Sequence, residues 1–312
     1  MIGAQRQPPG NPSVHVSVHT KILNPPTAAD VRQRAAAARE SLACCTWCER
    51  RCGVDRLQGA QAPCGLSASS FVFKRHVSYA EEVDLLPSYM VYFAGCNFRC
   101  RFCVQAPDCF DPQRGVEAAA AALAADMRSK IDRGARTINL IGGEPSIHLH
   151  TILELAAADA ERCGATGAER LPLMLNSNMY MTPEVIDALA GIITVYIADF
   201  KFGNDGCGRA IAGVERYVET VSRNLLHASA CARVIVRHLV MPGHLDCCLR
   251  PVAAWIAAHL PTTEFTLMQG YSPSWRATSR AGSTPELARF ATQAEADRAE
   301  EIVAEYGLRR SA

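Results

Sequence analysis

The stretch FAGCNFRCRFC, from Phe93 to Cys103, gathers three cysteines within eight residues. They are Cys96, Cys100 and Cys103, and the aromatic Phe102 comes directly before the last of them. Closed structural metal sites have four protein ligands, so three thiolates leave one metal position open for a substrate or cofactor. Thiolates are soft ligands that suit zinc and iron–sulfur clusters. We therefore predict that this loop holds a metal centre with an open coordination position.

Two alternatives stay open for these three thiols. One is a structural zinc ion, and the other is a four-cysteine electron-transfer cluster that recruits Cys109. The position of the loop argues against both, because it follows a predicted strand at the mouth of a β/α fold, where such folds place their chemistry.

The composition restricts the classes of protein to which the chain can belong. Its 312 residues are 49% apolar, which suffices for one large domain with or without a small appendage. The net charge of +1 lacks the basic excess of nucleic-acid binders, and the longest apolar run is too short to span a bilayer. The N-terminus lacks the apolar core of a secretory signal. We expect a cytoplasmic protein with no nucleic-acid or membrane partner, whose fourteen cysteines include metal ligands.

From residue 89 onward, short apolar runs alternate with longer helical segments. Nearly continuous apolar runs are expected of strands that are buried on both faces of a parallel sheet. The predicted strands are 89–95, 137–143, 173–178, 194–200, 234–240 and 264–270, and the predicted helices between them are 116–133, 149–163, 182–190, 213–227 and 251–259. We predict an α/β fold, a partial (β/α)6 TIM-like barrel with an N-terminal cysteine-rich extension. A doubly wound open sheet is the alternative.

The composition also divides the chain into four predicted segments. Residues 1–43 form a tail followed by a helix over 27–43, and residues 44–75 form a cysteine-rich segment of metal-binding type. Residues 76–275 form the partial barrel, and residues 276–312 form a C-terminal tail with a helix over 293–306.

Polar residues and glycines follow the predicted strands at the points where they end. Chemistry in parallel β/α folds lies at the carboxyl ends of the strands, and residues two apart in a strand face the same side. The residues concerned are Cys96, Gly143, Glu144, Asn176, Asp199, Lys201 and Arg237. We predict that they share one site.

The cysteine spacing C-x3-C-x2-C, with an aromatic residue before the last cysteine, resembles the radical SAM superfamily. Three further phrases, GGEPS after the second predicted strand, DFK after the fourth and VRHLVMPG in the fifth, are similar to segments of the pyruvate formate-lyase activating enzyme-like group. The resemblance covers roughly residues 44–275. It implies an oxidoreductase that cleaves S-adenosylmethionine (SAM) at a [4Fe-4S] cluster to a 5′-deoxyadenosyl radical, which takes hydrogen from a substrate.

The resemblance also implies site residues and partners. Cys96, Cys100 and Cys103 would ligate the cluster, and the residues near SAM would be Phe102, Gly142, Gly143, Glu144, Asn176, Asp199, Lys201 and Arg237. The implied partners are a reductant such as flavodoxin or ferredoxin and a protein substrate with a radical glycine. Modification of a peptide or small metabolite is the alternative activity, and a non-catalytic Fe–S electron-transfer protein is a third.

A second cysteine group precedes the predicted barrel. Cys45, Cys48 and Cys52 are followed, after eleven intervening residues, by Cys64, and four thiols can close a tetrahedral site. We predict a second metal site here, either an Fe–S cluster or zinc, with reduced thiols as the alternative.

Three more cysteines follow the fourth and fifth predicted strands. They are Cys207, Cys247 and Cys248, and we interpret them as buried thiols, with an auxiliary cluster as the alternative. The nearby His244 suits either a substrate contact or an exposed loop.

Overall fold

Eight strands form one open sheet in the computed structural model, which describes residues 25–80, 82–278 and 284–311. The strands are β1 (Phe71–Ser78), β2 (Ser88–Phe93), β3 (Val116–Glu117), β4 (Thr137–Gly142), β5 (Leu173–Ser177), β6 (Ile193–Asp199), β7 (Arg233–Leu239) and β8 (Glu264–Met268). Their order across the sheet is β3-β1-β2-β4-β5-β6-β7-β8. The six strands from β2 to β8 in that order are parallel, whereas β1 runs antiparallel to both of its neighbours.

One helix precedes the sheet in the chain, and the other described helices follow its strands. They are α1 (Ala28–Glu40), α2 (Ala120–Asp132), α3 (Leu149–Thr166), α4 (Pro183–Leu189), the short α5 (Asp205–Cys207), α6 (Tyr217–Ser229), α7 (Arg250–His259) and α8 (Gln293–Glu305). Two π-helical turns, Gly208–Ala212 and Leu245–Leu249, precede Gly213 and α7 respectively. None of these described helices combines the length and the apolar character needed to cross a bilayer.

The predicted partial barrel is confirmed, because six parallel strands lie side by side in one sheet that does not close among the described residues. All six predicted strands are present as β2 and β4 to β8. The predicted tail over residues 1–24, together with residues 279–283 and 312 of the predicted C-terminal tail, lies outside the described residues.

Two helix boundaries differ from the sequence-based expectation. The helix predicted from residue 116 begins at Ala120, because Val116 and Glu117 pair with β1 instead. The helix predicted from residue 213 begins at Tyr217, since Gly213 and Arg216 both adopt the left-handed conformation, which a continuous α-helix does not contain.

The connection between β1 and β2 crosses the sheet and packs on distant strands. Leu85 is fully buried in a cluster with Met174, Val195, Ile197 and Ile235 of β5, β6 and β7. Its carbonyl accepts a hydrogen bond from the Thr137 hydroxyl at 2.7 Å at the start of β4. The connection therefore ties β4 to β7 across the open sheet.

Candidate functional site

A cavity of about 280 Å³ lies at the carboxyl ends of the parallel strands. All of the residues predicted for the barrel site line it except Glu144: Cys96, Cys100, Phe102, Cys103, Gly142, Gly143, Asn176, Asp199, Lys201 and Arg237. The ends of four strands, β4 to β7, and the loop after β2 contribute these residues, which lie far apart in the sequence. The fold thus gathers three thiols and several charged groups around one space.

Backbone hydrogen bonds hold the three-cysteine loop against two other parts of the chain. The Cys96 amide donates to the Cys64 carbonyl at 3.2 Å, and the Gly95 amide donates to Cys109 at 2.7 Å. On the other side, the amide of Arg99 donates to Ala212 at 2.9 Å. These bonds fix the position of the loop relative to its own continuation at Cys109, to the cysteine-rich segment and to the π-helical turn after β6.

The environments of the three thiols differ. Burial raises the pKa of Cys96 well above its ordinary value and raises that of Cys100 to about 12. The Cys109 thiol, whose sulfur lies 3.5 Å from that of Cys103, donates a hydrogen bond that lowers the pKa of Cys103 to about 7. Metal binding to these thiols would release protons, because thiolates are the ligating form.

Gly142, the last residue of β4, and Gly143 directly after it allow the ends of β2 and β4 to approach each other closely. A Cβ atom on Gly142 would lie 2.3 Å from the Phe93 carbonyl oxygen, and one on Gly143 would lie 2.0 Å from that of Gly95. Gly142 also has a φ of +126°, which L side chains rarely adopt. These glycines are needed for packing in addition to any contact with a ligand.

Glu144 lies behind the cavity wall instead of facing the cavity. Its carboxylate accepts hydrogen bonds from the Ser177 hydroxyl at 2.7 Å, the Asn178 amide at 2.8 Å and the Ser146 amide at 3.1 Å. Burial raises the pKa of Glu144 although these bonds oppose the shift. The side chain joins the end of β4 to the end of β5 and so supports the wall that carries Asn176.

Two ion pairs line the cavity. Asp199 and Lys201 at the end of β6 pair with each other. The guanidinium of Arg237 in β7 makes two hydrogen bonds to the Glu82 carboxylate, at 2.6 and 3.1 Å, and the Thr266 hydroxyl adds a third at 2.8 Å. Burial opposes ionisation of Glu82, but the Arg237 contact outweighs it and leaves the pKa of Glu82 below its ordinary value.

Two residues of this site carry no local sequence signal. Glu82 pairs with a residue 155 positions away, so no local pattern identifies it. Tyr271 lies beyond the last predicted strand, and its ring contacts that of Phe102 with centroids 5.8 Å apart. Asn178, which with Asn176 ends the third predicted strand, also lines the cavity, and its side chain donates to Asn97 at 2.7 Å. The two-residue spacing of Asn176 and Asn178 predicts that both side chains face the same side.

The second predicted cysteine group also comes together. Cys45, Cys48, Cys52 and Cys64 line a small space of about 10 Å³, next to Arg56. The side chain of Arg56 is fully buried, and its Nη1 donates to the Cys45 sulfur at 3.7 Å and to a backbone carbonyl at 3.1 Å. Burial raises the pKa of Cys48 to about 12.

Comparison with known proteins identifies the family. The sequence profile of the Radical SAM superfamily matches residues 90–256, which is more than half of the chain. The chain belongs to the radical SAM superfamily. The match spans the three-cysteine loop and every strand from β4 to β7. Radical SAM proteins use a [4Fe-4S] cluster and SAM, and three soft thiols beside a cavity with charged walls form a donor set that fits both.

Relatives of this radical SAM protein include a curated protein and several solved structures. The uncharacterized protein MJ0674 of Methanocaldococcus jannaschii is 33% identical over 271 residues, covering 85% of this chain and 75% of the relative. SuiB of Streptococcus suis, solved with its precursor peptide SuiA, superposes with a TM-score of 0.50 at 12% identity, covering 68% of this chain and 43% of SuiB. QueE of Escherichia coli gives a TM-score of 0.43 at 13% identity, covering 81% of this chain and 95% of QueE. The chain thus spans less than half the length of SuiB.

Proposed function

We propose that this radical SAM enzyme cleaves SAM at a [4Fe-4S] cluster ligated by Cys96, Cys100 and Cys103, and takes a hydrogen atom from a residue of a protein substrate. A glycine of a glycyl radical enzyme is the first candidate for that residue. The observation that carries the proposal is the single cavity shared by the three thiols and the charged residues of β6 and β7.

The cavity walls offer a complementary group for each part of SAM. The cofactor carries a carboxylate, an ammonium group and an adenine ring, and Asp199 and Lys201 supply both signs of charge two residues apart. Arg237, held in place by Glu82, supplies a second cation, and Phe102 supplies an aromatic face. When bound, the reduced cluster cleaves SAM to methionine and a 5′-deoxyadenosyl radical.

The size of the cavity favours a substrate that is part of a larger molecule. Its volume of about 280 Å³ lies just below the range of roughly 300–1,000 Å³ for pockets that hold one drug-sized ligand. With SAM in place, little room remains for a separate metabolite, whereas a single residue on a protruding loop can still reach the cofactor. Val104, which lines the cavity and is exposed, provides an apolar contact for such a loop.

Modification of a peptide is the second candidate function. The same argument from cavity size supports it, and SuiB, part of which shares this fold, is solved bound to its precursor peptide SuiA. A small metabolite is disfavoured by the same argument. A non-catalytic electron carrier is disfavoured because it has no need of charged walls around a ligand cavity. The enzyme requires a reductant, for which we propose flavodoxin or ferredoxin.

Isotope transfer tests the proposal. The reconstituted enzyme is incubated anaerobically with SAM, dithionite and a candidate glycyl radical enzyme labelled with deuterated glycine. We expect deuterium in the 5′-deoxyadenosine and a glycyl radical signal by EPR, whereas the same protein labelled with deuterated alanine gives the radical signal without transfer of deuterium. Deuterium from a labelled peptide instead would favour the second function, and 5′-deoxyadenosine labelled only by a small metabolite would contradict the proposal.

We also propose that Cys45, Cys48, Cys52 and Cys64 hold a second metal centre, either zinc or an Fe–S cluster. The buried cation Arg56 supports it, because a buried charge is costly without a counter-charge and metal thiolates supply one. The variant Cys48→Ser/Cys52→Ser should lose zinc or iron relative to wild type, while Cys231→Ser, at an exposed cysteine, keeps it. Equal metal content in all three proteins would contradict this site.

A further inference from the structure

A third group of metal-binding side chains lies outside both predicted sites. Cys207 follows β6, and His244, Cys247 and Cys248 follow β7. The three sulfurs and the Nδ1 atom of the histidine all lie within 4.8 Å of one another. In the part of the chain that the structure describes, this is the one group of three or more such ligand atoms with that spacing.

We propose that Cys207, His244, Cys247 and Cys248 bind one zinc ion that joins the loop after β6 to the loop after β7. Zinc favours four ligands in a tetrahedron and accepts three cysteines with one histidine in structural sites. A site closed by four protein ligands has no position left for a substrate, so the ion has a structural role.

The separations of the ligand atoms match the edges of such a tetrahedron. Zinc–sulfur bonds of about 2.3 Å and zinc–nitrogen bonds of about 2.0 Å place two sulfurs about 3.8 Å apart, and a sulfur and a nitrogen about 3.5 Å apart. The sulfur of Cys247 lies 3.9 Å from that of Cys207 and 3.8 Å from that of Cys248. Nδ1 of His244 lies 3.6, 3.3 and 3.9 Å from the sulfurs of Cys207, Cys247 and Cys248. An Fe–S cluster contains several metal and sulfide ions and would require its thiolates to lie further apart.

Neighbouring side chains orient two of the ligands. The other ring nitrogen of His244, Nε2, lies 3.1 Å from a carboxylate oxygen of Glu286. A carboxylate at that position holds the proton on Nε2 and directs the lone pair of Nδ1 toward the thiols, an arrangement common among metal-binding histidines. The amide of Asn204 donates to the Cys207 sulfur at 3.2 Å and to the Cys247 carbonyl at 2.8 Å.

The backbone around the group is built to bring the two loops together. A Cβ atom on Gly203 would lie 2.6 Å from the Cys248 carbonyl oxygen, so only glycine permits this approach. One π-helical turn begins directly after Cys207, and the other contains Cys247 and Cys248. Such turns are rare and frequently occur at functional sites.

The position of the group explains what a zinc ion would do. Cys207 lies six residues after Lys201 in the loop that leaves β6, and His244 lies seven residues after Arg237 in the loop that leaves β7. An ion shared by both loops fixes the two cavity walls that carry these cations. The inference stands without the proposed substrate, because it concerns the scaffold of the cavity alone.

Metal analysis of matched variants tests this inference. Zinc and iron are measured in the reconstituted full-length protein, in Cys207→Ser/Cys248→Ser, and in Cys163→Ser/Cys231→Ser, which removes two cysteines outside all three groups. We expect the first variant to contain one zinc ion fewer per chain than wild type with its iron unchanged, and the control to match wild type. The variant His244→Cys should keep the ion, and His244→Ala should lose it.

A spectroscopic measurement keeps the test valid if these variants fail to fold. X-ray absorption at the zinc edge, on the folded variant Cys48→Ser/Cys52→Ser, should show three sulfur ligands and one nitrogen ligand. Absence of zinc from that protein, an all-sulfur zinc environment, or a disulfide between Cys207 and Cys247 in the purified protein would overturn the proposal.

Discussion

At the residue scale, the ion pair of Asp199 and Lys201 can serve either SAM binding or structure, and a variant of Asp199 separates the two roles. Both side chains are partly buried at the end of β6, and a pair of this kind adds little to stability. We predict that Asp199→Asn keeps the melting temperature and the iron content of wild type. Formation of 5′-deoxyadenosine should fall at least tenfold, a barrier change of about 1.4 kcal/mol. The rate is measured at saturating SAM by chromatography.

The matched control for this variant is Glu215→Gln, which breaks an exposed pair with Arg209. It should leave both the melting temperature and the rate unchanged. An Asp199→Asn protein that cleaves SAM as fast as wild type but melts at a lower temperature would assign the pair a structural role.

Gly143 illustrates how a motif residue serves packing as well as binding. Because a Cβ atom there would lie 2.0 Å from the Gly95 carbonyl oxygen, even alanine must displace the backbone that leads into the three-cysteine loop. We predict that Gly143→Ala lowers the melting temperature and the iron content together. Gly164→Ala, at a helical glycine in α3 with open space around it, should raise stability by about 0.5–1 kcal/mol. Normal iron content in Gly143→Ala would contradict this reading.

Residue patterns predicted the cavity well where neighbours in sequence share a face. Asp199 and Lys201, and the cysteines of one loop, were predicted to lie together, and the structure places them around one cavity. Glu82, Tyr271 and the partnership of His244 with Cys207 were missed, because each depends on contacts between distant segments. Glu144 was predicted to share the cavity but faces away from it, because its carboxylate accepts hydrogen bonds from Ser177 and Asn178 at the end of β5.

At the element scale, the β1–β2 connection holds the open sheet together through Glu82. Removing one partner of a buried ion pair leaves the other charge unpaired, so we predict that Glu82→Gln lowers the free energy of unfolding by about 3 kcal/mol at pH 7. The pKa of Glu82 is lowered in the folded state, so its contribution is present above its unfolded pKa and disappears as the pH falls through the folded value. The difference between wild type and variant should therefore shrink below about pH 4.

Urea unfolding at several pH values measures this difference. Glu301→Gln, which breaks an exposed pair with Arg298, is the control and should change the free energy of unfolding by less than about 0.5 kcal/mol. A difference that grows as the pH falls would have the wrong sign for a carboxylate with a lowered pKa.

Elements buried on both faces were predictable from their apolar runs, and elements at the edge were not. Every residue of β2 is buried, and the sequence predicts that strand directly. In contrast, β1 contains Lys74, Arg75 and His76 and buries little beyond Val72, so no apolar run marks it. Its strand conformation comes from pairing with β2 and β3, which the sequence of β1 alone does not encode.

At the scale of the whole molecule, three cysteine groups surround or adjoin the carboxyl edge of one open sheet. Cys64 of the second group accepts a backbone hydrogen bond from Cys96 of the three-cysteine loop, and the third group lies on the loops that follow Lys201 and Arg237. The second and third groups are thus placed to hold the walls around the three-cysteine loop. The resemblance to the radical SAM superfamily predicted the cofactors and the barrel, but only the folded chain brings His244 to its cysteines.

The most direct test of the central claim is SAM cleavage by the protein after anaerobic reconstitution with iron and sulfide. With SAM and dithionite, the wild-type protein should form 5′-deoxyadenosine and methionine. The variant in which Cys96, Cys100 and Cys103 are all replaced by alanine should form neither, while Cys163→Ser/Cys231→Ser behaves as wild type. Cleavage that persists in the triple variant, or none in iron-loaded wild type, would contradict the claim that these three thiols and this cavity carry the chemistry.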